Sequence, residues 1–389
     1  VPPPGPPLPS GHVIDTPAAL AALVADLELA DWLALDTEAD SLHAYPEKLC
    51  LIQIAHPRGE ALVDPLAGLD LAPLLRVFAR HELILHGGDY DLRLMHRTWG
   101  FAPAAGFFDT MNAARLVGVR QFGLNDLLHR FVGVTQEKGP QKADWGRRPL
   151  TERMVHYALN DVRHLRALSN VLREELARLG RLDWHHEVCA KIIHTATHYD
   201  PPDPDQVWRI KGCGALDRLG LAVLREEWRW REAEAVRANR PTFHIIVPDK
   251  LIELAQAASA RGQVPFEHIP RHLTARRHRG LVAAIETALG LPPDERPEKP
   301  RVERPRPNLA VIARADQLKA VRDRRAAELG LDPSYLASRT QLFELAETGD
   351  PARTSLMRWQ AALLARPGAP AAFDRGDGSG DNSCGAGPA

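Results

Sequence analysis

The chain has 389 residues, of which 44% are hydrophobic and 25% charged, with a formal net charge of −1. This length predicts about two or three domains with sizeable cores, while the lack of any apolar run near ~20 residues and the Pro-rich start argue against a membrane span, a membrane partner or a signal peptide. The four cysteines (Cys50, Cys189, Cys213 and Cys384) show no CxxC spacing, which argues against a zinc cluster or disulfide framework and favours the cytoplasm.

Proline-rich segments divide the chain. Residues 199–205 and 292–307 contain several prolines among charged residues, and such segments do not propagate a helix or a strand. The last residues are rich in Gly, Ala, Pro and Asp and have almost nothing to bury, so we expect them to be disordered. The predicted order is an α/β domain over residues 10–200, a helical region over 205–291, a second helical region over 308–366 and a disordered tail over 367–389.

In the first part, short apolar runs alternate with amphipathic patterns of helical period. The predicted strands are residues 32–36, 49–55, 61–63 and 83–86. The predicted helices are residues 18–29, 71–79, 90–99, 110–116, 124–131 and one long helix over 151–179. This alternation predicts a mixed sheet covered by helices.

Asp36 and Glu38 stand two positions apart at the end of the first predicted strand. Residues two apart in an extended segment point to the same face, so both carboxylates project together from a buried strand. Such a pair is unfavourable unless a positive charge neutralises it, and a hard cation such as Mg²⁺ prefers oxygen ligands. A capping or solvated acidic pair would show the same short pattern.

Two further acidic groups lie on predicted helices. Asp89 and Asp91 follow the Gly87-Gly88 turn at the start of a helix, where acidic residues also cap free N–H groups. Tyr157 and Asp161 stand four apart on the long helix and therefore share one face. Each pattern alone is also compatible with an ordinary cap or an exposed pair.

The order of these elements within one α/β region resembles the DEDDy exonuclease superfamily and, more narrowly, the ribonuclease D family. The resemblance covers roughly residues 10–366. The matching segments are Asp36-Thr-Glu-Ala-Asp-Ser41 with Leu51-Ile-Gln53, His86-Gly-Gly-Asp-Tyr-Asp91-Leu92, Lys142-Ala-Asp-Trp145 with Arg147-Arg-Pro-Leu150, and Tyr157-Ala-Leu-Asn-Asp161.

This resemblance implies a ribonuclease H-like exonuclease fold and a set of site residues. Two divalent ions, Mg²⁺ or Mn²⁺, are implied to bind Asp36, Glu38, Asp91 and Asp161, with Asp36 bridging them and Asp89 left as the helix cap. Two such ions stabilise both the attacking and the departing oxygen of a phosphodiester. Tyr157 is implied to orient the water, because a phenol with a pKa near 10 is a poor general base at neutral pH.

Basic residues supply candidate phosphate contacts. Lys138, Lys142, Arg147 and Arg148 precede the catalytic helix, and a solvated surface explains them equally well. Trp145 either stacks on a base or fills the core. A second basic run, residues 271–279, contains Arg276, Arg277 and Arg279 and no acid; phosphate binding and a solvated helix end are the two interpretations.

The rear of the chain resembles the HRDC domain, a helical module of ribonuclease D and RecQ-type helicases. Helical patterns at residues 219–235, 248–255 and 281–289 carry this resemblance, so the fold class is an α/β exonuclease domain followed by all-α HRDC-type domains. Residues 336–346 repeat the Leu, Glu-Leu and Ala positions of residues 245–255, which predicts a second, HRDC-like bundle without an equivalent of Trp230.

The predicted function is a metal-dependent 3′→5′ exoribonuclease that releases nucleoside 5′-monophosphates. The resemblance implies RNA as partner, with tRNA precursors and other structured RNAs held at single-stranded 3′ ends, and we expect a monomer. Two alternatives remain at this point: a 3′→5′ DNA exonuclease in repair, and a non-catalytic HRDC nucleic-acid adaptor. No motif announces contacts to the 2′-OH, which would distinguish RNA from DNA.

Overall fold

A mixed sheet forms the centre of the first part of the chain. The computed structural model describes residues 13–137, 139–199, 203–299 and 308–365. Within them the sheet has six strands: β1 Val13–Ile14, β2 Leu33–Ala39, β3 Leu49–His56, β4 Gly59–Val63, β5 Leu83–Leu85 and β6 Phe107–Asp109. Their order is β1-β4-β3-β2-β5-β6. β3 runs antiparallel to both its neighbours, and the other pairs are parallel.

The four predicted strands are confirmed, and two strands were not predicted. β1 and β6 have only two and three residues, and no periodic pattern marked them in the sequence. The strand predicted over 32–36 continues to Ala39, so the Asp36 and Glu38 pair lies inside β2 rather than beyond its end.

Eight helices accompany the sheet in the described residues. They are α1 Pro17–Glu28, α2 Ala72–Arg80, α3 Asp89–Trp99, α4 Thr110–Val117, α5 Leu124–Phe131, α6 Glu152–Arg163, α7 Leu165–Arg178 and α8 Leu182–Thr197. The prediction of one helix over 151–179 was wrong, because the chain breaks at His164, whose φ is −106° and ψ 3°. α8 was not predicted, although Trp184 and Val188 recur at helical spacing and are buried.

The two faces of β2 pack against different helices. Leu33 and Leu35 belong to the core that α1, α2, α3 and α8 form on one side of the sheet. Ala34 belongs to a smaller core with residues of α6 and α7 on the other side. Because side chains alternate along a strand, Asp36 and Glu38 continue the row of Ala34. The sheet therefore directs both carboxylates toward the side that carries α6.

Two helical regions follow. The first consists of α9 Arg218–Ala238, α10 Pro248–Arg261 and α11 Ala275–Leu289, which pack around one apolar core. The second consists of α12 Leu309–Leu329, α13 Pro333–Leu336, α14 Arg339–Thr348 and α15 Arg358–Leu364. Both regions open with a helix of 21 residues. The predicted fold class, an α/β domain followed by helical regions, is confirmed.

The chain falls into two compact units, Val1–Pro305 and Arg306–Ala389. The first unit holds the sheet and the first helical region; the second holds the second helical region. The tail predicted over 367–389 and Lys138 lie outside the described residues. Among the helices that the structure describes, none has the length and apolar character needed to cross a membrane.

Candidate active site

Strand β2 and helix α6 bring three carboxylates together. Oxygen atoms of Asp36, Glu38 and Asp161 all lie within 4.8 Å of one another, and each residue is partly buried. The pairing of β2 with β3 shifts register between Glu38 and Ala39, and irregularities of this kind can re-aim side chains beside a site. Gln53, opposite Asp36 on β3, donates its side-chain N–H to the Asp36 carboxylate at 3.5 Å.

Helix α6 delivers Tyr157 to the same place as Asp161. The helix begins after Thr151, whose hydroxyl accepts the N–H of Met154 at 3.3 Å and thereby caps the helix. Tyr157 lies one helical turn before Asp161 on the same face of α6, and burial together with the charge of Asp161 raises the pKa of its hydroxyl. A Cβ atom on Gly139 would fall 1.7 Å from Cδ2 of the tyrosine ring. The segment before α6 therefore lies against the ring so closely that only glycine fits there.

Helix α3 places Asp91 beside the cluster. Gly87 has a φ of +70°, and a Cβ on Gly88 would lie 2.7 Å from the Leu85 side chain, so the turn before the helix requires both glycines. Asp91 is buried, and its Oδ1 accepts the hydroxyl of Thr37 at 2.5 Å. It lies outside the set of three oxygens. Its negative charge is nevertheless close enough to raise the pKa of Asp36 and Glu38.

The prediction that Asp89 caps α3 was wrong. The cap position is Gly88, which has no side chain to accept a hydrogen bond, and Asp89 is the first residue of the helix. At that position an acidic side chain still interacts favourably with the positive end of the helix dipole. The predicted cap position and the observed one differ by one residue, and sequence patterns do not fix helix ends that closely.

Asp109 is a supporting residue that the sequence analysis missed. Its side chain is fully buried, and its carboxylate accepts four backbone N–H groups, from Gly87 at 3.1 Å, Gly88 at 3.2 Å, Met111 at 2.9 Å and Asn112 at 3.0 Å. An Asp before a helix is a recognisable cap signal. The two bonds to the glycine turn depend on the neighbouring strands β5 and β6, and they hold the turn from which Asp91 projects.

In the absence of a cation, the pKa of each of the four carboxylates lies above its ordinary value. Burial raises the pKa of Asp36 well above its ordinary range, and the charges of Asp91, Asp161 and Glu38 raise it further. Burial, followed by the charges of Asp161 and Asp91, raises the pKa of Glu38 to about 9. Burial likewise raises the pKa of Asp161 to about 7 and that of Asp91 to about 6. A set of crowded oxygen donors of this kind fits a hard divalent cation.

We expect the metal-free protein to lose stability as the pH rises. Because the folded-state pKa values exceed the unfolded values of about 4, the stability contributed by the protonated carboxylates is complete below about pH 4. It is lost as the pH passes the folded values of about 6, 7 and 9. The Asp36→Asn variant removes one charge from the cluster and should lose less stability over that window.

Thermal denaturation in a chelator, measured from about pH 5 to about pH 9, tests this expectation. The matched control is Asp183→Asn, since the Asp183 side chain is 76% exposed. Added Mg²⁺ should reduce the difference between the wild type and Asp36→Asn. Parallel pH profiles for these two proteins in chelator would contradict the expectation.

The basic residues near α6 divide by their surroundings. Lys142 and Arg147 are exposed. The Arg148 guanidinium instead donates to both carboxylate oxygens of Asp64, at 2.5 and 2.7 Å, and to backbone carbonyls that include Cys50 at 2.7 Å. These bonds fasten the segment before α6 to the sheet, which gives Arg148 a structural role. Trp145 is 1% exposed and fills the core, so it does not offer a base-stacking surface.

The arginines of the first helical region divide in the same way. Arg276 donates to both oxygens of the buried Glu234, at 2.6 and 2.5 Å, and Arg277 lies 3.6 Å from the same carboxylate. Both therefore help to neutralise a buried acid. Arg279 is exposed, as is Arg271, and neither forms an ion pair within the described ranges. Of the arginines in the run at 271–279, Arg276 and Arg277 therefore have a protein partner in the structure.

Comparison with known proteins covers both the sheet and the helical regions. Residues 12–177 match the model of a 3′-5′ exonuclease family. The chain is 32% identical to ribonuclease D of Acidiphilium cryptum over 369 residues, 93% of each chain. It is also 32% identical to ribonuclease D of Gluconacetobacter diazotrophicus, over 92% of this chain and 91% of that one.

A solved structure shares the same arrangement. The crystal structure of Escherichia coli RNase D, described as an exoribonuclease involved in structured RNA processing, matches with a TM-score of 0.70 and 25% identity. The match covers 91% of this chain and 96% of that chain. These relatives decide between the enzyme and the non-catalytic adaptor, and between RNA and DNA. The chain belongs to the ribonuclease D family and is a 3′→5′ exoribonuclease.

Proposed function

We propose that Asp36, Glu38, Asp91 and Asp161 hold two divalent metal ions, Mg²⁺ or Mn²⁺. The observation that carries this proposal is the convergence of three carboxylates within 4.8 Å, with the fourth near enough to raise the pKa of Asp36 and Glu38. When bound, such ions activate the attacking water and stabilise the departing oxygen. Four carboxylates and two dications together are close to neutral, so that the loaded site accepts a phosphate.

Tyr157 is proposed to orient the water rather than to remove its proton. Burial and the charges of Asp161 and Glu38 raise the pKa of this phenol above its ordinary value. The hydroxyl therefore keeps its proton at neutral pH and acts as a hydrogen-bond donor. It lies one helical turn from Asp161, at the edge of the carboxylate cluster, where it can position a nucleophile in line with the scissile bond.

We propose that the substrates are structured RNAs, including tRNA precursors, whose single-stranded 3′ ends enter the site and are released as nucleoside 5′-monophosphates. The involvement of the Escherichia coli relative in structured RNA processing supports structured RNA as the substrate class. The exposed Lys142 and Arg147 lie in the segment before α6 that packs on Tyr157 and would contact phosphates. We further propose that the protein acts as a monomer in the cytoplasm, where its buried cysteines, Cys50, Cys189 and Cys213, stay as thiols.

The deciding experiment compares 5′-labelled RNA with single-stranded DNA of the same sequence, in Mg²⁺ and in Mn²⁺. A ladder of products that shortens from the 3′ end of RNA, and disappears in chelator, is the expected result. A tRNA precursor with a 3′ extension should be trimmed to the base of its folded stem. Endonucleolytic fragments, or cleavage that persists in chelator, would contradict the proposed mechanism.

We expect Arg271 and Arg279 to contribute phosphate contacts to RNA binding. Replacing both with Ala should weaken binding at low salt and flatten its salt dependence. Two lost contacts reduce the slope of log K against log salt by about 1.4, since each contact with a single strand releases about 0.7 counterion. Arg120 and Arg130, exposed arginines of the α/β domain, make the control pair. An unchanged slope, measured by fluorescence anisotropy, would assign Arg271 and Arg279 to solubility.

A further inference from the structure

The loop between β2 and β3 begins two residues after Glu38, and its first and last residues are bonded to each other. The buried Asp40 carboxylate accepts the backbone N–H of Lys48 at 2.9 Å and forms an ion pair with the Lys48 ammonium. The backbone N–H of Asp40 also donates to the Lys48 carbonyl at 3.3 Å. Residues 40–48, termed the 40–48 loop below, therefore form one unit attached directly to the strand that carries Asp36 and Glu38.

The same loop contacts the two other elements of the site. Glu47 accepts hydrogen bonds from the hydroxyl of Tyr90 at 2.7 Å and from Arg97 at 2.9 Å, and both residues lie on α3 with Asp91. The Nε2 atom of His43 is hydrogen-bonded to the Lys142 carbonyl at 3.0 Å, in the segment that packs on the Tyr157 ring. A displacement of the loop would thus also move β2, α3 and the segment before α6.

The first helical region forms hydrogen bonds with this loop. The Tyr45 hydroxyl donates a hydrogen bond to the Glu232 carboxylate, and the Tyr45 backbone N–H donates to Oδ1 of Asn239 at 3.3 Å. Glu232 is itself held by Arg231, whose guanidinium is nearly buried and lies 2.8 Å away. Asn239, with a φ of +46°, ends α9. The C-terminal half of α9 is therefore bonded to the tip of the 40–48 loop.

We propose that Tyr45 and Glu232 are positioning residues, through which α9 sets the relative placement of β2, α3 and the segment before α6. The inference rests on the proposed role of the carboxylates that these elements carry. A surface loop of this length is mobile unless it is tied down. A hydrogen bond to a partly desolvated carboxylate is stronger than one between neutral groups. Helix α9 thereby supports the site through a bond in which neither Tyr45 nor Glu232 touches the substrate.

The test uses the full chain with Tyr45→Phe, Glu232→Ala and the double variant. Loss of the shared hydrogen bond should lower kcat on a short single-stranded RNA about tenfold while KM stays nearly constant. Mg²⁺ affinity, measured by calorimetry without RNA, should weaken about tenfold, as for other losses of support around metal ligands. The double variant should be no worse than the worse single one, because both changes remove the same bond.

Matched controls are Tyr199→Phe, at a half-exposed tyrosine, and Glu226→Ala, at a carboxylate on α9 paired with neighbouring arginines. Both should retain wild-type constants. Unchanged kcat and Mg²⁺ affinity in Tyr45→Phe would overturn the inference, even if its melting temperature fell, and so would additive losses in the double variant. If the wild-type protein hydrolyses RNA and Tyr45→Phe matches it, only the positioning role of Tyr45 and Glu232 fails. If the wild-type protein itself hydrolyses no RNA, the proposed function fails.

Discussion

Replacing Asp36 or Asp161 with Asn is expected to abolish Mg²⁺-dependent hydrolysis of RNA while the fold stays intact. Each change removes a carboxylate oxygen from the set that lies within 4.8 Å and leaves a side chain of nearly the same shape. Packing is preserved, and repulsion within the cluster falls, so the metal-free variants should melt at a temperature no lower than the wild type. The effect on activity is therefore separable from any effect on stability.

The measurement is single-turnover hydrolysis of a labelled oligoribonucleotide, with circular dichroism to verify the fold. Asp183→Asn, at an exposed carboxylate of α8, is the control and should retain full activity. Calorimetry with Mg²⁺ should show weaker or absent binding in Asp36→Asn and Asp161→Asn. Substantial Mg²⁺-dependent cleavage by either variant would remove that residue from the metal-binding set.

Tyr157→Phe is expected to slow turnover by about 10²-fold or more, with Mg²⁺ affinity close to that of the wild type. The ring, which packs on Trp145 at a centroid distance of 6.1 Å and against Gly139, stays in place. Only the hydroxyl is lost, and a contact of a hydroxyl with the reacting groups has an effect of that size.

Pre-steady-state kinetics with the Phe variant separate RNA binding from the chemical step. Binding of a short RNA in Ca²⁺ should be unchanged, whereas the rate of the first cleavage should fall. The control is Tyr199→Phe, at a tyrosine that is 56% exposed. A Tyr157→Phe enzyme with the wild-type cleavage rate would show that Tyr157 only supports packing, and the orienting role would pass to another group.

The two pairs of site residues could be predicted from the sequence because the members of each pair are only two or four positions apart. Asp36 and Glu38 share a face through the two-residue period of a strand, and Tyr157 and Asp161 through the four-residue spacing of a helix. The four main strands and most helices followed from apolar periodicity for the same reason. The order of these pairs along the chain was enough to indicate the family, which the relatives confirm. The roles of the individual site residues remain predictions that the proposed experiments test.

Other features depended on partners that are distant in the chain. The break at His164 separates α6 from α7 without a proline or glycine to announce it. Arg148 and Arg276 looked like free surface cations, but their partners Asp64 and Glu234 stand far away in sequence, so nothing local marked them as structural. A side chain's surroundings follow from which elements pack against it, and periodicity does not encode that.

The residue pairs of the site are thus close together in the sequence, whereas the contacts that hold these pairs in place join residues that are far apart in the sequence. The carboxylates of Asp36 and Glu38 meet Asp161 only because the face of β2 that begins with Ala34 is covered by α6. The turn before Asp91 is held by Asp109 across two neighbouring strands. Hydrogen bonds between two elements form only after the chain folds and brings these elements together. The spacing of residues along the sequence does not give the distances between elements in the folded protein.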